Sequence, residues 1–141
     1  MNNRLHVNNI TKDSFAKYGT IIDFTGRKDD PEFEVIIKHK DDPWRIAMLR
    51  VKNKAFAVLE KHPSSLETFE PVEGVCLLLL SLETETDGFE VFLLDRPVCL
   101  NKGVWHDIAS LTHVSKVKIT ENLEVDTEYY GLKQPLQIFV G

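Results

Sequence analysis

Two short stretches concentrate the side chains able to do acid–base or metal chemistry. Glu60-Lys-His62-Pro-Ser-Ser-Leu-Glu67 brings two carboxylates and an imidazole close together, and Lys102-Gly-Val-Trp105-His106 adds a second imidazole beside a cation. Glu60 and His62 are two apart, so on a strand they share one face and Lys61 takes the other. After the turn marked by Pro63, Glu67 can return toward the same face. Imidazoles titrate near neutrality and serve as acid or base, and a carboxylate in a partly dry pocket has its pKa raised into a useful range. The same four side chains, Glu60, His62, Glu67 and His106, are also a fair oxygen and nitrogen ligand set for a divalent first-row ion. Blander uses exist for each: Glu60 and Lys61 as an exposed charged pair, His62 as a turn histidine, Glu67 as a solvated loop acid.

The elements that must position these groups read mostly as strands. Thr11–Gly19 reads as a two-turn helix, with Thr11 as N-cap, Asp13 in the first turn and Gly19 closing the C-terminus. Strands follow at intervals of about ten residues: 19–24, 33–40, 44–52, 55–59, 75–82, 89–94, 114–120 and 136–140. Val75–Leu82 is apolar throughout, the pattern of a strand buried on both faces. Trp44–Lys52 alternates with apolar residues on both faces, which places Trp44 and Met48 in the core. Asp87-Gly88 marks a turn. Phe69, Pro71 and the glycines Gly88 and Gly103 read as core and turn residues.

Composition narrows the function classes. The 141 residues suit one domain, 1–141, with no repeat and no linker. Net charge is -5 with both signs mixed along the chain, which argues against nucleic acid or a membrane surface as partner. The N-terminus has no apolar secretory core, and the longest greasy run is far too short for a membrane helix. Two cysteines, Cys76 and Cys99, read as reduced, buried thiols of a cytoplasmic protein. No serine sits in a nucleophile-elbow pattern and no glycine-rich phosphate loop is present.

Glu60-x-His62, Glu67 and Gly74, followed by Gly103-x-x-His106, resemble the two motifs of the cupins, with Glu60 standing where the first motif has a histidine. More closely, Glu60-Lys-His62-Pro63, Phe69-x-Pro71, Val104-Trp105-His106, the opening Tyr18–Asp23 and Leu123–Thr127 are similar to the ureidoglycolate lyase (ureidoglycolate hydrolase) branch, over roughly residues 12–127. The resemblance implies an all-β, single-domain jelly-roll barrel with one short N-terminal helix and the site inside its mouth. It also implies a homodimer.

The activity so implied is release of urea from ureidoglycolate, leaving glyoxylate. That reaction needs a base for the hydroxyl proton and an acid for the departing nitrogen. His62, His106, Glu60 and Glu67 are the catalytic candidates. Lys102 and, less well aimed, Lys61 are candidates to hold the substrate carboxylate, with Trp105 as an apolar wall. Lys61 stands for the family's Arg and Glu67 for its Gln. Glu67 is the better metal ligand, so a divalent ion at Glu60, His62, Glu67 and His106 is the competing use of the site. The rival functions are a non-catalytic small-ligand binder and a metal-dependent isomerase or dioxygenase.

Overall fold

The computed structural model describes residues 4–38, 43–85 and 88–139. Twelve elements follow in chain order: β1 (Val7–Asn8), α1 (Lys12–Phe15), β2 (Gly19–Ile21), β3 (Trp44–Val51), β4 (Ala55–Lys61), β5 (Glu67–Glu73), β6 (Cys76–Ser81), β7 (Glu90–Leu94), β8 (Val98–Leu100), β9 (Trp105–Ser110), β10 (Ser115–Asn122) and β11 (Glu128–Gln137). They form two sheets, β1-β7-β6-β9-β4-β11 and β2-β8-β5-β10-β3. Without the additions β1, β2 and β11, the orders are β7-β6-β9-β4 and β8-β5-β10-β3, eight strands in the double Greek-key connection of a jelly roll. Within the strand pairings described, no ladder joins one sheet to the other. The expected jelly roll is thus present, built as two facing sheets.

Apolar alternation explains where the core sits. In β6, Cys76, Leu78 and Leu80 point between the sheets and join Phe69, Phe92, Val98, Leu100, Val117 and Ile119. Leu77 and Leu79 point the other way, into a second cluster with Leu59, Val91 and Ala109. Tyr130, Leu132, Leu136 and Ile138 cover that second cluster from the C-terminal strand and its continuation. Both faces of β6 are thus buried, which is why its sequence never alternates with polar residues.

Helix α1 starts as its sequence predicts, with a capping box between Thr11 and Ser14, yet it ends at Phe15 after four residues. Gly19 begins β2 rather than closing the helix, because the chain there passes so close to the backbone of Cys99 that a Cβ would collide with it. Phe15, Tyr18 and Phe92 pack edge to face and seat this segment on the core.

Two readings of strand and core are corrected. The 33–38 segment runs without a ladder, its Phe33 and Val35 exposed; residues 39 and 40 of that expected strand, like Asp87 and Val140, lie outside the described residues. Trp44 and Met48 are not core residues: they lie exposed on β3, an edge strand of the five-stranded sheet. In β4 the alternation breaks between Phe56 and Leu59, both of which face the outer cluster. There Asp107 accepts a hydrogen bond from the Ala57 N–H at 3.1 Å, and burial pushes its carboxyl up to about 6. The break sets Glu60, and His62 beyond it, on the inner side.

Candidate metal and acid–base site

Each sheet contributes one row of polar side chains to the space between them. On the first sheet, Glu60 of β4 stands directly opposite His106 of β9. On the second, Glu67 of β5 lies opposite Glu121 of β10, and Glu121 lies opposite Arg45 of β3. His62, the residue after β4, reaches across: its Nε2 is 2.6 Å from Glu67 Oε2 and 4.0 Å from Glu60 Oε1. His106 Nε2 stands 3.5 Å from Glu60 Oε1 and 3.5 Å from Glu67 Oε1. The His62 and His106 rings are 5.2 Å apart, and Phe69 meets His106 edge to face at 5.6 Å.

Outer hydrogen bonds fix both imidazoles. His106 Nδ1 lies 3.0 Å from the Val104 carbonyl oxygen, which accepts only if Nδ1 carries the proton. His62 Nδ1 lies 3.2 Å from the Asp126 carbonyl and 3.1 Å from Thr127 Oγ1. Both rings therefore turn Nε2 toward the carboxylates, the arrangement that orients histidine toward a cation. The loop before β9 is tied to the same place by the Gly103 N–H, which donates to the His62 carbonyl at 3.0 Å.

The electrostatics follow from three carboxylates and two imidazoles in little water. Burial alone would lower both histidines, but the hydrogen bond and charge of Glu67 outweigh it at His62 and raise its pKa. At His106, Glu60 and Glu67 likewise outweigh burial. Burial would raise Glu67, yet the hydrogen bond from His62 and the charge of His106 hold it low. Glu121 goes the other way: burial and the adjoining Glu67 raise it, against the pull of Arg45. Arg45 meets Glu121 Oε1 through Nε at 3.0 Å and Nη2 at 2.7 Å.

Within this cluster one atom remains unmatched. His106 Nε2 is buried and has no hydrogen-bond partner, with Glu60 Oε1 and Glu67 Oε1 each standing 3.5 Å away. A buried polar atom left unpaired costs about 1–3 kcal/mol. A cation would answer it: Glu60, His62 and His106 form one group whose ligand atoms converge closely enough to hold a metal, and His62, Glu67 and Glu121 form a second that shares His62. The donor set, imidazole plus carboxylate, suits a divalent first-row ion.

The structure thus brings Glu60, His62, Glu67 and His106 together. It does not bring in two of the other candidates. Lys61 points outward, its ammonium 4.8 Å from the centre of the Trp105 ring and 3.2 Å from Glu128 Oε2. Trp105 lies on that same outer face against Tyr130, because strand alternation opposes it to His106. Lys102 sits exposed on the turn before β9. Sequence reading missed Glu121 and Arg45. The Lys-Ile-Thr-Glu stretch looks like an ordinary half-exposed strand, and only cross-strand register reveals that Glu121 faces Glu67.

No protein-family model matches the chain, and no curated protein matches it in sequence. Among solved structures it is similar to the S161A mutant of Bacillus subtilis oxalate decarboxylase OxdC, with TM-score 0.48 and 13% identity over 64% of this chain and 24% of that one. A dTDP sugar isomerase from Desulfovibrio desulfuricans G20 gives TM-score 0.46 and 14% identity over 83% of each chain. A structure concerned with the Mn(II) centres of the same decarboxylase gives TM-score 0.39 at 15% identity. The chain spans about a quarter of the decarboxylase.

Proposed function

We propose that this jelly-roll protein is an enzyme of the cupin type that binds one divalent metal ion and cleaves a small carboxylate-bearing substrate. The observation that carries the metal is the buried, unpartnered His106 Nε2 facing Glu60 and Glu67. Glu60, His62, Glu67 and His106 would hold the ion, which would act as a Lewis acid toward a carbonyl or carboxylate oxygen. Of these four, Glu60 alone has an appreciably exposed side chain, so small molecules approach from its side.

Arg45 and Glu121 take the remaining roles. Arg45, half exposed and already engaging one carboxylate, is the cation placed to hold the substrate's carboxylate in bidentate fashion. Glu121, whose carboxyl burial and Glu67 raise against the pull of Arg45, is the group assigned to donate the proton a leaving nitrogen needs. The substrate favoured by the sequence resemblance is ureidoglycolate, with loss of urea and formation of glyoxylate.

A second reading rests on the His62–Glu67 pair at 2.6 Å, a charge-assisted bond able to move a proton with no metal present. One experiment separates the two: glyoxylate release from ureidoglycolate, before and after chelation, with wild type, His106→Ala and Glu121→Gln. Turnover lost on chelation and restored by a divalent metal supports the proposal. Turnover that survives chelation but not His106→Ala supports the metal-free lyase. A protein that binds metal without releasing glyoxylate sinks the lyase assignment and leaves the metal site standing.

A further inference from the structure

Strand alternation gives the five-stranded sheet a second face, turned away from the candidate site. In β10, Val117 and Ile119 enter the core between the sheets and Glu121 faces Glu67, so Thr120 and Asn122 point the opposite way. Across the ladder Thr120 stands opposite Ile46 and Asn122 opposite Trp44, the β3 residues exposed at 56% and 63%. Together with Ile37 and Leu66 these four line a cleft of about 370 Å³ on that outer face. The cleft also reaches Cys99, which alternates with the core residues Val98 and Leu100. Glu121 touches it too, but its carboxylate is turned inward to Arg45. Among the described residues no cationic side chain lines the cleft, and no carboxylate or imidazole turns into it.

One polar group of this lining is left over. Asn122 is 7% exposed, and its Oδ1 is buried with no hydrogen-bond partner. The backbone there is not short of bonds, because the Asn122 N–H donates to Ser65 Oγ at 3.1 Å. The deficit belongs to the side chain alone. Leaving a buried amide oxygen unpaired is costly, and an N–H or O–H donor is what answers it. A metal ion would find no second ligand beside it, and an anion would find no positive charge. Apolar walls with one or two placed polar groups, in a volume of this size, are the usual makeup of a small-molecule pocket. The exposed Trp44 ring adds a flat face on which another ring can lie offset or edge on.

We propose that this cleft is a ligand site separate from the one between the sheets, and that it takes a neutral, flat heterocycle which packs on Trp44 and donates one N–H to Asn122 Oδ1. Ile37, Ile46 and Leu66 enclose the ring, and the single unpaired acceptor sets its orientation. Trp44 precedes Arg45 and Asn122 follows Glu121, so the two residues that hold the ligand adjoin the Arg45–Glu121 pair on the other side of the sheet. The proposal stands apart from the functional reading, since nothing in it requires a metal or a substrate.

The test is titration of the full chain with indole, followed by amide-detected NMR and by calorimetry. Benzofuran serves beside it, because it keeps the shape of indole and has an oxygen in place of the N–H. Indole should bind with a dissociation constant below about 1 mM, a range open to so small a ligand. Its shifts should concentrate at Trp44, Ile46, Thr120 and Asn122, and benzofuran should bind about tenfold more weakly. Asn122→Leu, similar in size but without the acceptor, should bind the two compounds alike. Trp44→Ala, at an exposed position that folding does not need, should also lose about tenfold in indole affinity. If Asn122→Leu fails to fold, the comparison of indole with benzofuran on wild type decides. Absence of shifts on this face at millimolar indole overturns the proposal, and so does benzofuran binding as tightly as indole or a Trp44→Ala variant that binds unchanged. Shifts that follow protein concentration and not indole would show the cleft covered by another chain, which overturns it as well.

Discussion

His62 Nε2 lies 2.6 Å from Glu67 Oε2, with both side chains almost fully buried and contributed from facing sheets of the sandwich. The pair ties the sheets together at the end of the core that holds the site. Removing one partner of a buried pair leaves the other charged and dry, which is costlier than losing the pair itself. Glu67→Ala should therefore cost about 3–5 kcal/mol of folding stability, while Glu67→Gln, which keeps the shape and an acceptor oxygen, should cost less. Urea melts of the two variants check the order; equal losses would mean the charge is irrelevant there.

Arg45 and Glu121 have separable assignments. Arg45→Ala should raise KM for a carboxylate substrate, with kcat changed far less. Glu121→Gln should lower kcat by roughly 100-fold, the usual scale for losing a positioned proton donor. Steady-state kinetics on glyoxylate release read both at once. A rise in KM alone from Glu121→Gln would take the proton-donor role away from it.

The thiols should be silent in the native state. Burial pushes the Cys99 thiol up to about 11 and raises Cys76 as well, so almost no thiolate is present at neutral pH. Neither cysteine should react with a disulfide reagent until denaturant is added, after which both should react. Rapid labelling of one thiol in native protein would contradict the burial described for it.

Acid stability has a readable contribution far from the site. Burial would raise the Glu90 carboxyl, but hydrogen bonds from Tyr18 and Lys17 hold it below the ordinary glutamate value. A depressed folded pKa gives stability that is present above the unfolded value of 4.5 and is lost as pH falls through the lower folded value. Glu90→Gln should therefore melt lower than wild type at pH 7, and the difference should shrink below pH 4.5. Parallel melting curves down to acid pH would exclude the linkage.

Core packing offers the simplest check of the fold. Phe69 is buried between the sheets and touches the His106 ring, so Phe69→Ala should cost about 3–5 kcal/mol and loosen His106 with it. Thermal melts with one-dimensional NMR of the histidine ring protons would follow both effects.

The sequence carried the sandwich through local signals. The apolar β6 run, the N-cap at Thr11 and the two-residue spacing of Glu60 and His62 are all local signals, where sequence patterning is reliable. What was not legible depended on register and edges. Trp44 and Met48 look like core because alternation cannot say whether a strand is central or at an edge. Trp105 looks like a pocket wall until β9 is placed and its face becomes known. Glu121 and Arg45 enter the site through two cross-strand pairings spanning 76 residues of chain.

The central claim is that Glu60, His62, Glu67 and His106 hold a divalent cation, and metal titration by isothermal calorimetry tests it most directly. Chelated wild-type protein and His106→Ala would each be titrated with Mn(II), Zn(II) and Ni(II). The account predicts one site per chain for at least one of these ions, weakened roughly 100-fold or more in the variant, since even outer partners of a ligand cost 10–100-fold. No binding to wild type, or the same binding to both proteins, would contradict it.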